Sequence, residues 1–332
     1  MQVAQPTHTE PISTRRHDTI QVFRALAIIA VILAHTCPLG LMTVICRPFL
    51  NFSVALFLFL SGYLTKLDNR DWGGIFKKRT LRVLIPYLIW TVLYTIEAGD
   101  LKKLPFNILT TSGAAHLYYI FVYIQFVLLT PLMGRLARSK YQFVGWLIAP
   151  ISLALYKYIP LLTGHPLNFY VHTVCWNACL GWFTFYYLGL LLGNRIMVKK
   201  YSLTVLFVMY AVSILLQMGE GYGWMQLGGS NPGTVLKYTS LVTGTIACLI
   251  AHTILERGGL KKNYKWLVTV GNYSFGLYLS HVLIMHLLKL TPYYNALPYV
   301  VNTALVFVVS FGICYLGDKL FGKKVSRWFG FR

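Results

Sequence analysis

Ten runs of mostly apolar residues, separated by short polar stretches, divide the chain. They cover 20–38, 50–66, 80–97, 115–135, 142–160, 174–194, 203–219, 235–255, 266–288 and 298–318. A hydrocarbon layer about 30 Å thick is crossed by about 20 residues rising about 1.5 Å each, so each run predicts a membrane-spanning helix. The second run is short, and those at 80–97 and 266–288 are the most polar. Backbone groups in lipid must find partners within their own segment, which favours helices. The runs also lack the two-residue alternation of barrel strands. The predicted fold class is all-α, a polytopic integral membrane protein of about ten transmembrane helices. The predicted organisation is an N-terminal tail over 1–19, one membrane domain over 20–318 and a short basic tail over 319–332. No cleavable signal is predicted, because the first 19 residues are polar and no small-residue cleavage site follows the first apolar run.

Composition narrows this further. Of the 332 residues, 56% are hydrophobic and 12% charged, with a mean hydropathy of +0.59. An ordinary soluble domain is about 25% charged, so a water-soluble enzyme, a disordered chain and a coiled coil are excluded. The balance of 30 Lys+Arg against 9 Asp+Glu gives +21, which alone suits nucleic acid, anionic lipid or an anionic ligand. Position decides between them. With the N-terminus in the cytoplasm, 23 of the 30 positive residues fall on the cytoplasmic side, Arg70 among them. Arg47, Lys102, Lys103, Lys157, Lys237 and Lys289 fall outside, and Arg24 lies within the first run. Positive charge collects on the cytoplasmic side of membrane proteins, which predicts N-in and C-in, both tails cytoplasmic, in the plasma or inner membrane. No nucleic-acid partner is then needed. The six cysteines form no metal pattern. Cys37 and Cys46 flank a predicted outer loop, where an oxidising exterior would allow them to pair, but the favoured reading of all six is small buried apolar side chains.

Ionisable groups inside a span are costly and mark candidate functional positions. Arg24, His35, His116 and His281 qualify. Arg24 and His35 are 11 residues apart, about 16 Å and close to three turns, so they share a helix face. Arg24 also reads as an arginine reaching to the inner boundary, and each histidine alone reads as a satisfied core or interface residue. His35, His116 and His281 are predicted at a similar depth in the outer half, which a set of unrelated core residues does not explain. His286, His165 and His172 read as interfacial. Arg79 and Arg82, three apart on one face, suit a bidentate phosphate clamp, although a cytoplasmic loop is basic anyway. Ser61-Gly62 near a helix end suits close helix packing. The nine acids, Glu10 and Glu220 among them, all lie near predicted span ends. Histidine is therefore the available intramembrane base. There is no Walker loop, dinucleotide fingerprint or His-Glu-x-x-His, and no metal is expected.

These motifs together resemble the acyltransferase family three membrane proteins. Arg24 followed by ten residues and His35 is similar to the family's Arg-x10-His signature. Leu58-Phe59-Leu60-Ser61-Gly62-Tyr63 resembles its Phe-x-x-Ser-Gly segment, and Arg79-Thr80-Leu81-Arg82 with Ile85-Pro86-Tyr87 its Arg-x-x-Arg and Pro-Tyr element. His116-Leu117-Tyr118-Tyr119 resembles its His-Leu-Trp segment, with Tyr118 in place of Trp. Tyr187-Leu188-Gly189 with Gly193, and Ser274 through Tyr278 to His281, resemble its later motifs. The family pattern has Asp three residues before the arginine; here Gln21 holds that place and Asp18 lies one turn earlier.

The resemblance implies transfer of an acyl group, most often acetyl, from cytoplasmic acyl-coenzyme A to a hydroxyl of a cell-surface polysaccharide or lipid-linked sugar. The partners are then acetyl-CoA or another acyl-CoA as donor, a glycan acceptor and membrane lipid. Arg79, Arg82 and Lys78 are the expected phosphate ligands, with Arg24 and Ser61 completing the donor site. His35 is the expected general base, with His116 and His281 orienting the acceptor or polarising the thioester. The alternative reading is a transporter or flippase of a glycan intermediate or small metabolite, against which the lack of a deep acid and of visible repeats weighs.

Overall fold

A computed structural model describes residues 12–68, 71–262 and 264–332. Arg70, Glu10 and residues 1–11 of the expected N-terminal tail lie outside the described residues. The structure is 78% helical with no strands among the described residues.

The helices are α1 (Ile12–Thr36), α2 (Leu41–Cys46), α3 (Phe52–Tyr63), α4 (Trp72–Glu97), α5 (Leu104–Thr110), α6 (Tyr118–Ala137), α7 (Val144–Leu153), α8 (Ile159–Thr163), α9 (Phe169–Asn177), α10 (Phe183–Gly193), α11 (Leu203–Gln226), α12 (Tyr238–Glu256), α13 (Lys265–Asn272), α14 (Ser274–Lys289), α15 (Tyr299–Leu320) and α16 (Gly322–Phe329). Among the described residues nine helical segments are long and apolar enough to span a membrane. The pair α13 and α14, bent by 72°, makes a tenth.

Each predicted run has its helical counterpart, and several are broken. The second is α2, a turn carrying Arg47 and Pro48, and α3. Pro48 has no N–H to offer a continuing helix. The ninth breaks at Tyr273, between Gly271 and Ser274, a small-residue pair of the kind that permits sharp kinks. α1 covers Ile12–Thr36, so residues 12–19 of the expected N-terminal tail are helical. Within the short basic tail over 319–332, α16 packs against α4 and α15. Phe331 behind it is 6% exposed, with its backbone against Gly276 and its ring on Gly317.

Two apolar cores sit side by side. One is built by α3, α6, α7, α10 and α12 around Phe59, Phe126, Trp182 and Tyr186. The other is built by α1, α4, α14 and α15 around Ile28, Tyr87, Tyr94 and Leu277. Phe57 and Tyr119 pack against both, so the seam between the cores runs past α3 and α6. α1 feeds both cores, Phe23 and Ala27 entering the first and Ile28 and Ile32 the second.

Candidate active site

His35 lies in the last turn of α1, His116 in the short turn Ala115–Leu117 that leads into α6, and His281 in the middle of α14. The structure brings the three rings together. Their centroids are 5.1 Å apart for His35 and His281, 5.0 Å for His116 and His281, and 6.0 Å for His35 and His116, all edge to face. His116 and His281 are 3% and 0% exposed, whereas His35 is half-buried. His35 is thus the least enclosed residue of the cluster.

Backbone contacts fix the proton on His281. Its Nδ1 lies 3.0 Å from the Leu277 carbonyl and 2.8 Å from that of Tyr278. Carbonyls only accept, so Nδ1 carries the proton and Nε2 keeps a lone pair. That Nε2 is buried without a partner. Both ring nitrogens of His116 are buried without a well-aligned partner, although the Leu279 carbonyl lies close by. Buried polar nitrogens are nearly always bonded, and three orphans in one cluster leave it ready for a ligand.

Tyrosines hold the cluster. The Tyr94 hydroxyl donates to the Leu279 carbonyl (2.8 Å) and accepts from the Leu283 amide (3.0 Å), tying α4 into the α14 turns around His281. The Tyr278 hydroxyl donates to the His116 carbonyl. From His116 a file of rings leads away: Tyr278 at 5.1 Å, Tyr119 a further 5.6 Å on, and Tyr123 6.4 Å beyond that. Its far end meets Arg24, whose guanidinium lies in electrostatic reach of Tyr119, Tyr123 and Arg82.

The cations named in the sequence divide. Arg24 and Arg82 lie within electrostatic reach of one another, and Arg82 is exposed. Arg79 turns to α3 instead and donates to Thr65 Oγ1 at 2.6 Å. Thr65 in turn donates to the Ser61 carbonyl at 2.7 Å, which puts half-buried Ser61 one turn from Arg79. Lys78 is exposed. Gln21 accepts from Arg24 at 3.4 Å, whereas Asp18 lies 3.4 Å from His17. Beside Thr65, a cavity of about 270 Å³ is lined by Arg16, Tyr63, Lys66, Arg195 and Glu256.

Other chemistry was hidden in the sequence. His252 carries no motif, yet it is buried in α12 with its Nδ1 unpartnered and its ring 5.9 Å from Tyr63. Lys237 reads as a loop cation but is 1% exposed, its Nζ donating to the Pro232 carbonyl at 2.7 Å. Burial pushes its ammonium down to about 8, with Glu220 opposing. Glu220 itself is not at a helix end: α11 runs on to Gln226. The carboxylate accepts from the Tyr158 hydroxyl and from the Thr239 amide, the latter at 3.2 Å. It is engaged by neighbouring elements and far from a free relay. All six cysteines are free thiols. Among the described residues no group of three or more His, Cys, Asp or Glu is arranged to hold a metal ion.

Residues 17–318 match the sequence model of a protein family described as an acyltransferase domain. No curated protein and no solved structure matches the chain.

Proposed function

The chain belongs to the acyltransferase family, and we propose that this membrane acyltransferase moves an acetyl group from acetyl-CoA to a hydroxyl of a cell-surface polysaccharide or its lipid-linked precursor. In this reading it sits in the cell membrane with both termini in the cytoplasm. The observation that carries the proposal is the three-histidine cluster joined by a file of tyrosines to Arg24 and Arg82.

The chemistry follows from the two ends. Acyl-CoA is polyanionic, and the basic rim of Arg24, Arg82, Arg79 and Lys78 suits its phosphates, with Ser61 beside Arg79. Its long flexible arm then follows Tyr123 and Tyr119 toward the histidines, over a span of about 16 Å. The acceptor hydroxyl attacks the thioester carbonyl carbon. A C–O bond forms, the C–S bond breaks, and the coenzyme A thiolate leaves. His35, the least enclosed of the three, takes the hydroxyl proton as general base and returns it to the thiolate. His281 cannot donate from Nε2 in its backbone-fixed tautomer, so it orients the acceptor by accepting from a neighbouring sugar hydroxyl, leaving the reacting proton to His35. His116, whose ring nitrogens lack a well-aligned partner although the Leu279 carbonyl lies near, turns its N–H to the developing oxyanion.

Replacement of His35 by Ala tests this. Surface glycans from cells carrying H35A are expected to lose their acetyl groups by mass spectrometry while the protein stays at its normal level. Unchanged acetyl content at normal protein level sinks the assignment.

A further inference from the structure

The last turn of a helix has carbonyls without intrahelical partners, and here that turn carries His35. Side chains from elsewhere satisfy it. The Leu33 carbonyl accepts from the Tyr299 hydroxyl at 3.0 Å, and the Ala34 carbonyl accepts from an Arg47 guanidinium nitrogen at 3.1 Å. Thr36 Oγ1 lies 2.7 Å from Thr303 Oγ1.

Arg47 does a second thing. Its other terminal nitrogen donates to Asn231 Oδ1 at 3.0 Å. Asn231 lies in the loop between α11 and α12 at φ 54°, a conformation that few side chains accept but Asn does. That loop is wedged in place. A Cβ on Gly233 would come within 2.8 Å of Arg47 Cδ and 2.7 Å of the Thr43 carbonyl. Asn51 Nδ2 lies 3.4 Å from the Gly233 carbonyl, and Lys237 donates to that of Pro232. The positive-inside pattern gives no reason for Arg47, which is one of the few cations at this end of the bundle. A cation at a helix C-terminus is favoured by the helix dipole, and the planar arginine fork offers a separate terminal nitrogen to each of the two acceptors.

We propose that Arg47 is a positioning residue for His35. It holds the terminal turn of α1 and couples it, through Asn231, to the loop between α11 and α12. This rests on the reading of His35 as the base. The coupling gives that loop a means of setting the His35 ring when the acceptor arrives.

The test measures transfer from radiolabelled acetyl-CoA in membrane vesicles for wild type, R47A, R47K, N231A, R47A/N231A and H35A. R47A is expected to lower kcat roughly 10- to 100-fold, the cost of about 1 Å of misplacement, with the KM for acetyl-CoA unchanged. R47K, which reaches one acceptor, restores only part of the rate. N231A gives a smaller fall in kcat and adds nothing to R47A. Wild-type kcat in R47A, full rescue by R47K, or additive effects of R47A and N231A overturn the proposal. Should R47A not accumulate, R47K and N231A carry the same comparison. Transfer that survives in H35A overturns the base assignment itself, whereas transfer lost in H35A and intact in R47A overturns Arg47 alone.

Discussion

His281 owes its chemistry to two carbonyls one turn below it. Because Leu277 and Tyr278 accept from Nδ1, the lone pair at Nε2 is fixed before any substrate binds. An asparagine at this position places an amide nitrogen near the site of Nδ1 and keeps the hydrogen bonds to those carbonyls, but offers no basic nitrogen. H281N is therefore expected to elute as a folded protein with a melting temperature near that of wild type and to lose about 10²-fold in transfer rate, the cost of a misplaced acceptor. H281N at the wild-type rate would remove His281 from the chemistry. The four polar residues that decide the candidate site, Arg24, His35, His116 and His281, were legible in the sequence because each is expensive inside an apolar run. Arg47, Tyr299 and Tyr94 were not. An arginine or a tyrosine near a span end looks like an interface residue, and only the fold reveals which carbonyl it reaches.

At the scale of elements, α3 and α10 touch backbone to backbone. A Cβ on Gly62 would sit inside contact distance of the Tyr186 carbonyl, one on Gly189 of the Phe59 carbonyl and one on Gly193 of the Tyr63 carbonyl. Small residues at this spacing let helices approach closely in lipid, where the hydrophobic effect does not drive them together. Gly219 on α11 faces open space. G189A is therefore expected to lower stability by about 1–3 kcal/mol, while G219A leaves it unchanged or raises it by about 0.5–1 kcal/mol through helix propensity. Detergent melting curves followed by fluorescence distinguish them, and equal melting temperatures for G189A and wild type would show that α3 and α10 can part without cost. The ten spans themselves were legible, since length and apolarity are local properties. Their breaks were not. The bend between α13 and α14 depends on Gly271 lying against the Gln21 backbone and on the Tyr273 hydroxyl bonding Asp318 at 2.8 Å. Both partners are distant in sequence, and a hydropathy average over one run carries no information about them.

Across the whole molecule, the charges and the chemistry sort to opposite ends. Arg16, Lys66 and Arg195 line one cavity, with Arg79 and Arg82 nearby, at the end of the bundle from which the tyrosine file begins. The histidines and Arg47 occupy the other end. The proposed reaction requires that the basic end face the cytoplasm, because that is where an acyl-CoA donor is found, and the positive-inside rule requires the same. The two arguments are independent, so one topology measurement tests them together. In a cysteine-free background, Lys102→Cys and Lys199→Cys place single thiols on exposed positions in loops assigned to opposite faces. A membrane-impermeant maleimide applied to intact cells is expected to label Lys102→Cys and to reach Lys199→Cys only after the membrane is opened. The reverse pattern would put the basic end outside, strand Arg24 and Arg82 away from the donor, and leave the histidine cluster opening toward the cytoplasm. An acyl-CoA reaction running from the basic rim could not operate in that orientation.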